Sequence, residues 1–198
     1  MFPDLLRDDV FRLETRRLWL RWPRATDAAA IATLASVREV AESTACIPHP
    51  YPEGAAAAFI LTSRAKNLEG NSLSLVICPK SRPDDAIGCV ELRGVAPGEA
   101  EIGYWLGRPY WGKGLATEAV CALLAMSRRV SVVEAIHASV HPGNAASRRV
   151  LEKCGFRVNG EKLVAAPARG GSILADRFVW MGEPARVAPR VGIGKICA

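Results

Sequence analysis

The sequence has no apolar run of about 18 or more residues, so no transmembrane helix is expected. Asp4, Asp8, Asp9 and Glu14 are scattered through residues 1–21, where a secretory signal would carry a basic start and an apolar stretch. A cytoplasmic location with no membrane partner is the default expectation. The six cysteines (Cys46, Cys78, Cys89, Cys121, Cys154 and Cys197) form no C-x-x-C pair. Several sit in apolar runs such as LSLVICP and AIGCVEL, so buried free thiols are expected rather than disulfides or zinc. His137 and His141 are four apart, but EAIHASVHP reads as a strand ending at Pro142. The helical face of a paired-histidine site is missing, and no metal is expected. The net charge is +6, yet the arginines are dispersed and no nucleic-acid reader motif occurs. A solvated basic surface is expected, compatible with an anionic cofactor or an acidic partner, and no nucleic-acid partner is expected. There is no internal repeat.

What is present suits one domain: 198 residues with 49% hydrophobic composition. The expected boundaries are a flexible segment at 1–12, a domain at 13–181 and a mobile tail at 182–198. That tail carries Pro184, Pro189, Gly192 and Gly194 without periodicity. RRLWLRW alternates as a strand that Pro23 stops, and Thr26 and Asp27 then offer a cap before AAAIATLAS. The proline-rich IPHPYPEG delivers the chain into a helix, AAAAFILTSRAKNLEG, ended by Gly70. SLSLVIC, AIGCVELRG and EAEIGYWLG read as an antiparallel meander. Leu115, Ala119, Leu123 and Met126 then mark an amphipathic helix. A strand (VVEAIHASV), a helix (NAASRRVLEKCGF, closed at Gly155) and two strands follow. The class is α/β (α+β), mostly antiparallel with one parallel pair at the strand–helix–strand unit.

The segment GRPYWGKGLATE (107–118) carries the chemistry. A strand ends, two glycines flank Lys113, and a helix begins. Glycines allow close backbone approach, and the first turn of a helix offers unpaired N–H groups at the positive end of its dipole. Together they make a pyrophosphate cradle. A nucleotide P-loop, G-x-x-x-x-G-K-[ST], fits Gly107, Gly112 and Lys113. It fails at Gly114, where the magnesium-binding hydroxyl belongs. The plain alternative is a strand-to-helix turn whose glycines serve sterics.

EIGYWLGRPYWGKGLATEA resembles the central motif of the GNAT superfamily, especially the branch of ribosomal-protein N-terminal acetyltransferases. ETRRLWLR, IPHPYPEGAAAAFI and HPGNAASRRVLEKCGF resemble the same branch in the same order, across about residues 14–180. The resemblance implies a mixed sheet splayed at its central parallel pair, with helices on both faces. It implies acetyl-CoA as cosubstrate and no metal. Trp105, Leu106 and Gly107 would line the pantetheine arm at a bulge. Tyr110, Trp111, Gly112, Lys113, Gly114, Leu115, Ala116 and Thr117 would hold the pyrophosphate. Asn144 would sit near the pantetheine or act as a helix cap, and Lys153 would meet a phosphate.

The implied reaction is direct attack of an amine on the thioester. A backbone N–H near Leu106 would stabilise the oxyanion. Many members carry a tyrosine acid where this chain has Leu151; Ser147 is the alternative donor, or a small residue at a tight helix contact. Glu101 is the expected base, with Glu91 in reserve and a water relay as a third route. A structural ion pair is the rival role for Glu101. Tyr51 would flank the acceptor pocket or pack under its loop. The implied acceptor is a primary amine, on a protein N-terminus or a small molecule. The chain would be a monomer or homodimer, and a non-catalytic acyl-CoA sensor is the competing class.

Overall fold

Alternating apolar positions make most of the strands here, and a period near 3.6 makes the helices that cover them. The structure, a computed structural model, describes residues 3, 9–130, 133–182 and 192–193. In chain order the elements are β1 (Arg12–Glu14), β2 (Leu18–Arg21), α1 (Ala28–Ala35), α2 (Arg38–Glu42), α3 (Ala55–Glu69), β3 (Ser72–Pro79), β4 (Gly88–Ala96), β5 (Glu99–Leu106), α4 (Leu115–Val130), β6 (Ala135–Val140), α5 (Ala145–Lys153), β7 (Arg157–Ala166), β8 (Gly171–Trp180) and β9 (Gly192–Ile193). Most of 1–12 and of the tail at 182–198, including Cys197, lies outside the described residues. Gly192 and Ile193 pair with β1. No described helix is long and apolar enough to cross a membrane.

The strands form one sheet in the order β7-β8-β6-β5-β4-β3-β2-β1-β9. Among the described residues all pairings are antiparallel except β5 with β6. β3 is buried along nearly its whole length because helices cover both faces there. On one face Ala119, Leu123 and Met126 of α4 pack with Leu75, Leu92 and Ile102 in the main core. On the other, Ile31 of α1 and Ala56 and Ile60 of α3 pack over Val76 and Cys78. Asn67 ties α3 to β3: its amide donates to Ser74 O at 3.0 Å and accepts from Ser74 N at 2.8 Å. Gly70, at φ +73°, ends α3 as expected.

Three local details differ from the sequence reading. Asp27 does not cap α1. Its carboxylate accepts from Arg24 N at 2.7 Å and pairs with Arg21, so it closes the 3-10 turn Ala25–Asp27. α2 was not expected. Cys46 is exposed, while Cys78, Cys89, Cys121 and Cys154 are buried free thiols.

Candidate functional site

The parallel pairing of β5 with β6 covers Glu99–Glu101 against Ala135–His137 and no more. Beyond it, β5 stays on β4 as far as Leu106 while β6 stays on β8 as far as Val140. The two strands therefore diverge and leave a gap. A bulge at Leu106 is not the cause, because the register break in the β4–β5 pair lies at Gly94/Ala96, near the opposite end. Ladder alternation fixes which backbone groups face the gap. Gly107 N donates to Ile87 O on the β4 side, and Gly98 O accepts from Glu134 N on the β6 side. The even-numbered residues of β5 thus turn their N–H groups toward β6. At Tyr104 and Leu106 no strand lies opposite, and the Leu106 N–H opens into the gap. The Leu106 carbonyl is taken by the Trp111 indole N–H at 2.6 Å.

A cavity of about 320 Å³ fills the gap and runs to the start of α4. Its floor is the glycine loop. Gly112 and Gly114 have φ of +74° and +72°, which L side chains rarely adopt, and a Cβ at Gly112 would meet nothing. Glu118 N reaches back to Gly114 O, which makes it the first N–H of α4 in the helical ladder. The N–H groups of Leu115, Ala116 and Thr117 precede it without intrahelical partners, and all three residues line the cavity. Arg149 and Lys153 of α5 line it from above. This donor set fits an anionic pyrophosphate.

One acidic group sits at this same helix start. Glu118 accepts from Thr15 Oγ1, Arg17 N and Arg17 Nε, each at 2.7 Å. Arg17 Nη1 also donates to Lys113 O at 2.9 Å, so the β1–β2 turn clamps the glycine loop. Burial acts to raise the Glu118 carboxyl, and the hydrogen bonds from Thr15 and Arg17 outweigh it, so the pKa falls below the usual value. The folded state therefore holds the charged form more tightly than the unfolded chain. This stabilisation is complete above the ordinary Glu range and is lost as pH falls through the folded value. Glu118→Gln should cost about 2 kcal/mol at neutral pH and flatten that acid limb. Urea titrations at several pH values test this; an unchanged pH slope would exclude the clamp as its source.

α5 supplies the opposite wall. Asn144 Oδ1 caps it by accepting from Ser147 N at 3.0 Å, and its Nδ2 donates to Ser43 O at 3.3 Å. Asn144 and Ser147 both line the cavity, as do Trp105, Leu106, Tyr110 and Trp111. Sequence reasoning missed Tyr104, whose hydroxyl lies 2.9 Å from Ser147 Oγ. It also missed Ser43, and of the basic residues on α5 it favours Lys153 over Arg148 and Arg149, whereas Arg149 and Lys153 both line the cavity. The alternation of β5 already put Tyr104 on the face of Ile102 and Leu106, but its partner is far away in sequence.

Several expected residues are elsewhere. Gly107 does not line the cavity; a Cβ there would meet Leu34 at 2.5 Å, so its lack of a side chain admits α1. The Lys113 ammonium turns back to Pro109 O at 2.8 Å and over the Tyr110 ring. Glu101 is engaged by Arg93 at 2.9 Å, by the Ser139 hydroxyl at 3.3 Å and, more distantly, by Lys162 at 3.9 Å. Glu91 accepts from Ser74 Oγ at 2.9 Å. It faces Gly103 across the β4–β5 pair, where a Cβ would meet nothing within 4 Å. Tyr51 packs into the apolar clusters under α1 and α2.

The acetyltransferase (GNAT) domain family matches residues 17–157. An uncharacterised N-acetyltransferase, p20, from Bacillus licheniformis is 32% identical over 152 residues, 75% of this chain and 83% of the relative. Mycobacterium smegmatis RimJ, solved in complex with CoA-disulfide, superposes with a TM-score of 0.74 at 22% identity, covering 86% of this chain and 87% of that one. Spermidine N-acetyltransferase from Vibrio cholerae, solved with CoA and spermine, gives 0.69 at 20% identity, covering 83% and 95%. The splayed strand pair, the glycine loop and the family match agree: this chain belongs to the GNAT acetyltransferase family.

Proposed function

We propose that the protein moves the acetyl group of acetyl-CoA onto a primary amine by direct attack, with both substrates bound together. The observation that carries this is the divergence of β5 from β6 directly above an α4 start with free N–H groups. The diverging edge of β5 suits an extended pantetheine arm, which can pair with it as an added strand would. Leu115, Ala116 and Thr117 hold the pyrophosphate through backbone N–H groups, and Arg149 and Lys153 supply the positive charge. Acetyl-CoA brings an activated acyl group; this chain's residues orient it and stabilise the charge that develops.

The Leu106 N–H donates to the carbonyl oxygen as it becomes an oxyanion. Ser147 donates from α5 to the departing sulfur. Glu101 is occupied by Arg93, Ser139 and Lys162, which leaves its carboxylate less free to meet the amine. Glu91 takes the amine's proton instead. Among the described residues its hydrogen bond is from a neutral hydroxyl, and Gly103 leaves open space beside it. A protein N-terminal amine is the first acceptor class, by the resemblance of the chain's motifs to the ribosomal-protein N-terminal acetyltransferase branch; a polyamine is the second, by fold likeness to the spermidine enzyme.

Ser147→Ala should lower kcat about 10- to 100-fold and leave the KM for acetyl-CoA unchanged, because the lost bond forms only as the sulfur departs. Thiol release with an amine panel measures it. Unchanged kcat would remove Ser147 from the chemistry.

A further inference from the structure

We infer that Tyr104 is a positioning residue for the transfer: its phenol holds the Ser147 hydroxyl so that the hydroxyl's own proton faces the departing sulfur. The inference rests on the acetyltransferase reading of the cleft. Tyr104 projects from β5 and Ser147 from the first turn of α5, so their bond joins the two walls of the gap. The phenol oxygen is 2.9 Å from Ser147 Oγ and 3.2 Å from Ser147 O. Ser147 O can only accept, and either hydroxyl can donate in the shorter contact; the relay has the phenol's single proton on that 2.9 Å contact. A helical serine commonly donates to a carbonyl one turn back. Among the described residues Ser147 Oγ has Tyr104 as its partner instead, and with the phenol as donor its own proton stays available to a third atom in the cavity.

Leu151, the position at which the family resemblance would place a tyrosine acid, is fully buried in the core. The phenol here therefore comes from the facing strand. Burial pushes the Tyr104 phenol well up, with the Ser147 bond pulling partly the other way, so it stays protonated. Tyr104 accordingly gives up no proton. The amine nitrogen forms the new bond to the acyl carbon, and the carbon–sulfur bond breaks with its electron pair on sulfur. Ser147 donates a hydrogen bond to that sulfur, and Tyr104 donates to Ser147. The thiolate then takes its proton from solvent, and nothing is oxidised.

Two readouts test this on the full chain. The first needs no acceptor: the thiol of bound coenzyme A is titrated by thiolate absorbance, against desulfo-coenzyme A as blank. Donors aimed at sulfur favour the thiolate. Tyr104→Phe should raise the bound thiol's titration midpoint by about one pH unit, leaving desulfo-coenzyme A affinity within about two-fold. The second is kinetic. Tyr104→Phe should lose about ten-fold in kcat with the acetyl-CoA KM unchanged, and Tyr104→Phe/Ser147→Ala should be no slower than Ser147→Ala. An unmoved thiol titration, or losses that multiply in the double variant, would overturn the relay alone. Failure of the unaltered protein to bind coenzyme A would overturn the reading of the cleft and the relay with it.

Discussion

Gly114→Val should weaken acetyl-CoA binding by about 100-fold or more while the protein stays folded. Gly114 has a φ of +72°, and a β-branched residue held there is strained by roughly 1–3 kcal/mol. The chain relieves that strain by turning the peptide, and this peptide sets the loop. Gly114 O anchors Glu118 N, and Lys113 O anchors Arg17. Rotating it misdirects the N–H groups of Leu115, Ala116 and Thr117 together. The added side chain also grows toward the Arg17 guanidinium, 3.6 Å from the Cβ position. The loop is exposed, so the apolar core is untouched. Calorimetric titration with acetyl-CoA reads the affinity and circular dichroism the fold. Near-normal affinity in a folded Gly114→Val protein would mean that the cradle does not hold the ligand.

Asp27→Ala should destabilise the protein by about 3–5 kcal/mol, the cost of leaving a buried charge without its partner. Arg21 grips Asp27 with two hydrogen bonds, 2.9 and 2.7 Å, and the side chains are 7% and 0% exposed. The carboxylate also holds Arg24 N, so its loss frees the turn that launches α1. At about 2–4 °C per kcal/mol, the unfolding midpoint should fall by about 6–20 °C. Arg21→Met/Asp27→Leu should recover most of the loss, because a buried ion pair adds little over apolar packing. A fall of under about 1 kcal/mol in Asp27→Ala would mean that water reaches Arg21 and the pair is not sealed.

These two sites differ in how far the sequence disclosed them. The glycine loop is local: glycine, lysine, glycine and an amphipathic helix are contiguous, so its geometry follows from neighbouring residues. The meander and the parallel pair were legible for the same reason, through alternation and turn residues. α2 was not, since REVAE is a single short turn whose N-cap, Val37, makes no side-chain bond. The contacts that tune the site link distant segments. Arg17 meets Glu118 across the sheet, and Tyr104 meets Ser147 across the gap. The position of Glu101 on β5 was read from alternation. Its engagement by Arg93 was not, because that depends on the β4–β5 register, which sets Arg93 opposite Glu101. Lys113 shows the limit of motif reading: its place between two glycines suggests a phosphate ligand, yet its ammonium bonds Pro109 O.

Thermal unfolding of the purified protein with acetyl-CoA, coenzyme A or ATP–magnesium tests the central claim most directly. A ligand that binds only the folded state adds about 2.7 kcal/mol at 100 times its Kd. For a chain of 198 residues that is a rise of about 5–10 °C. The cleft predicts such a rise with acetyl-CoA and with coenzyme A, and none with ATP–magnesium. A rise with ATP–magnesium alone, or with none of the three, would contradict it.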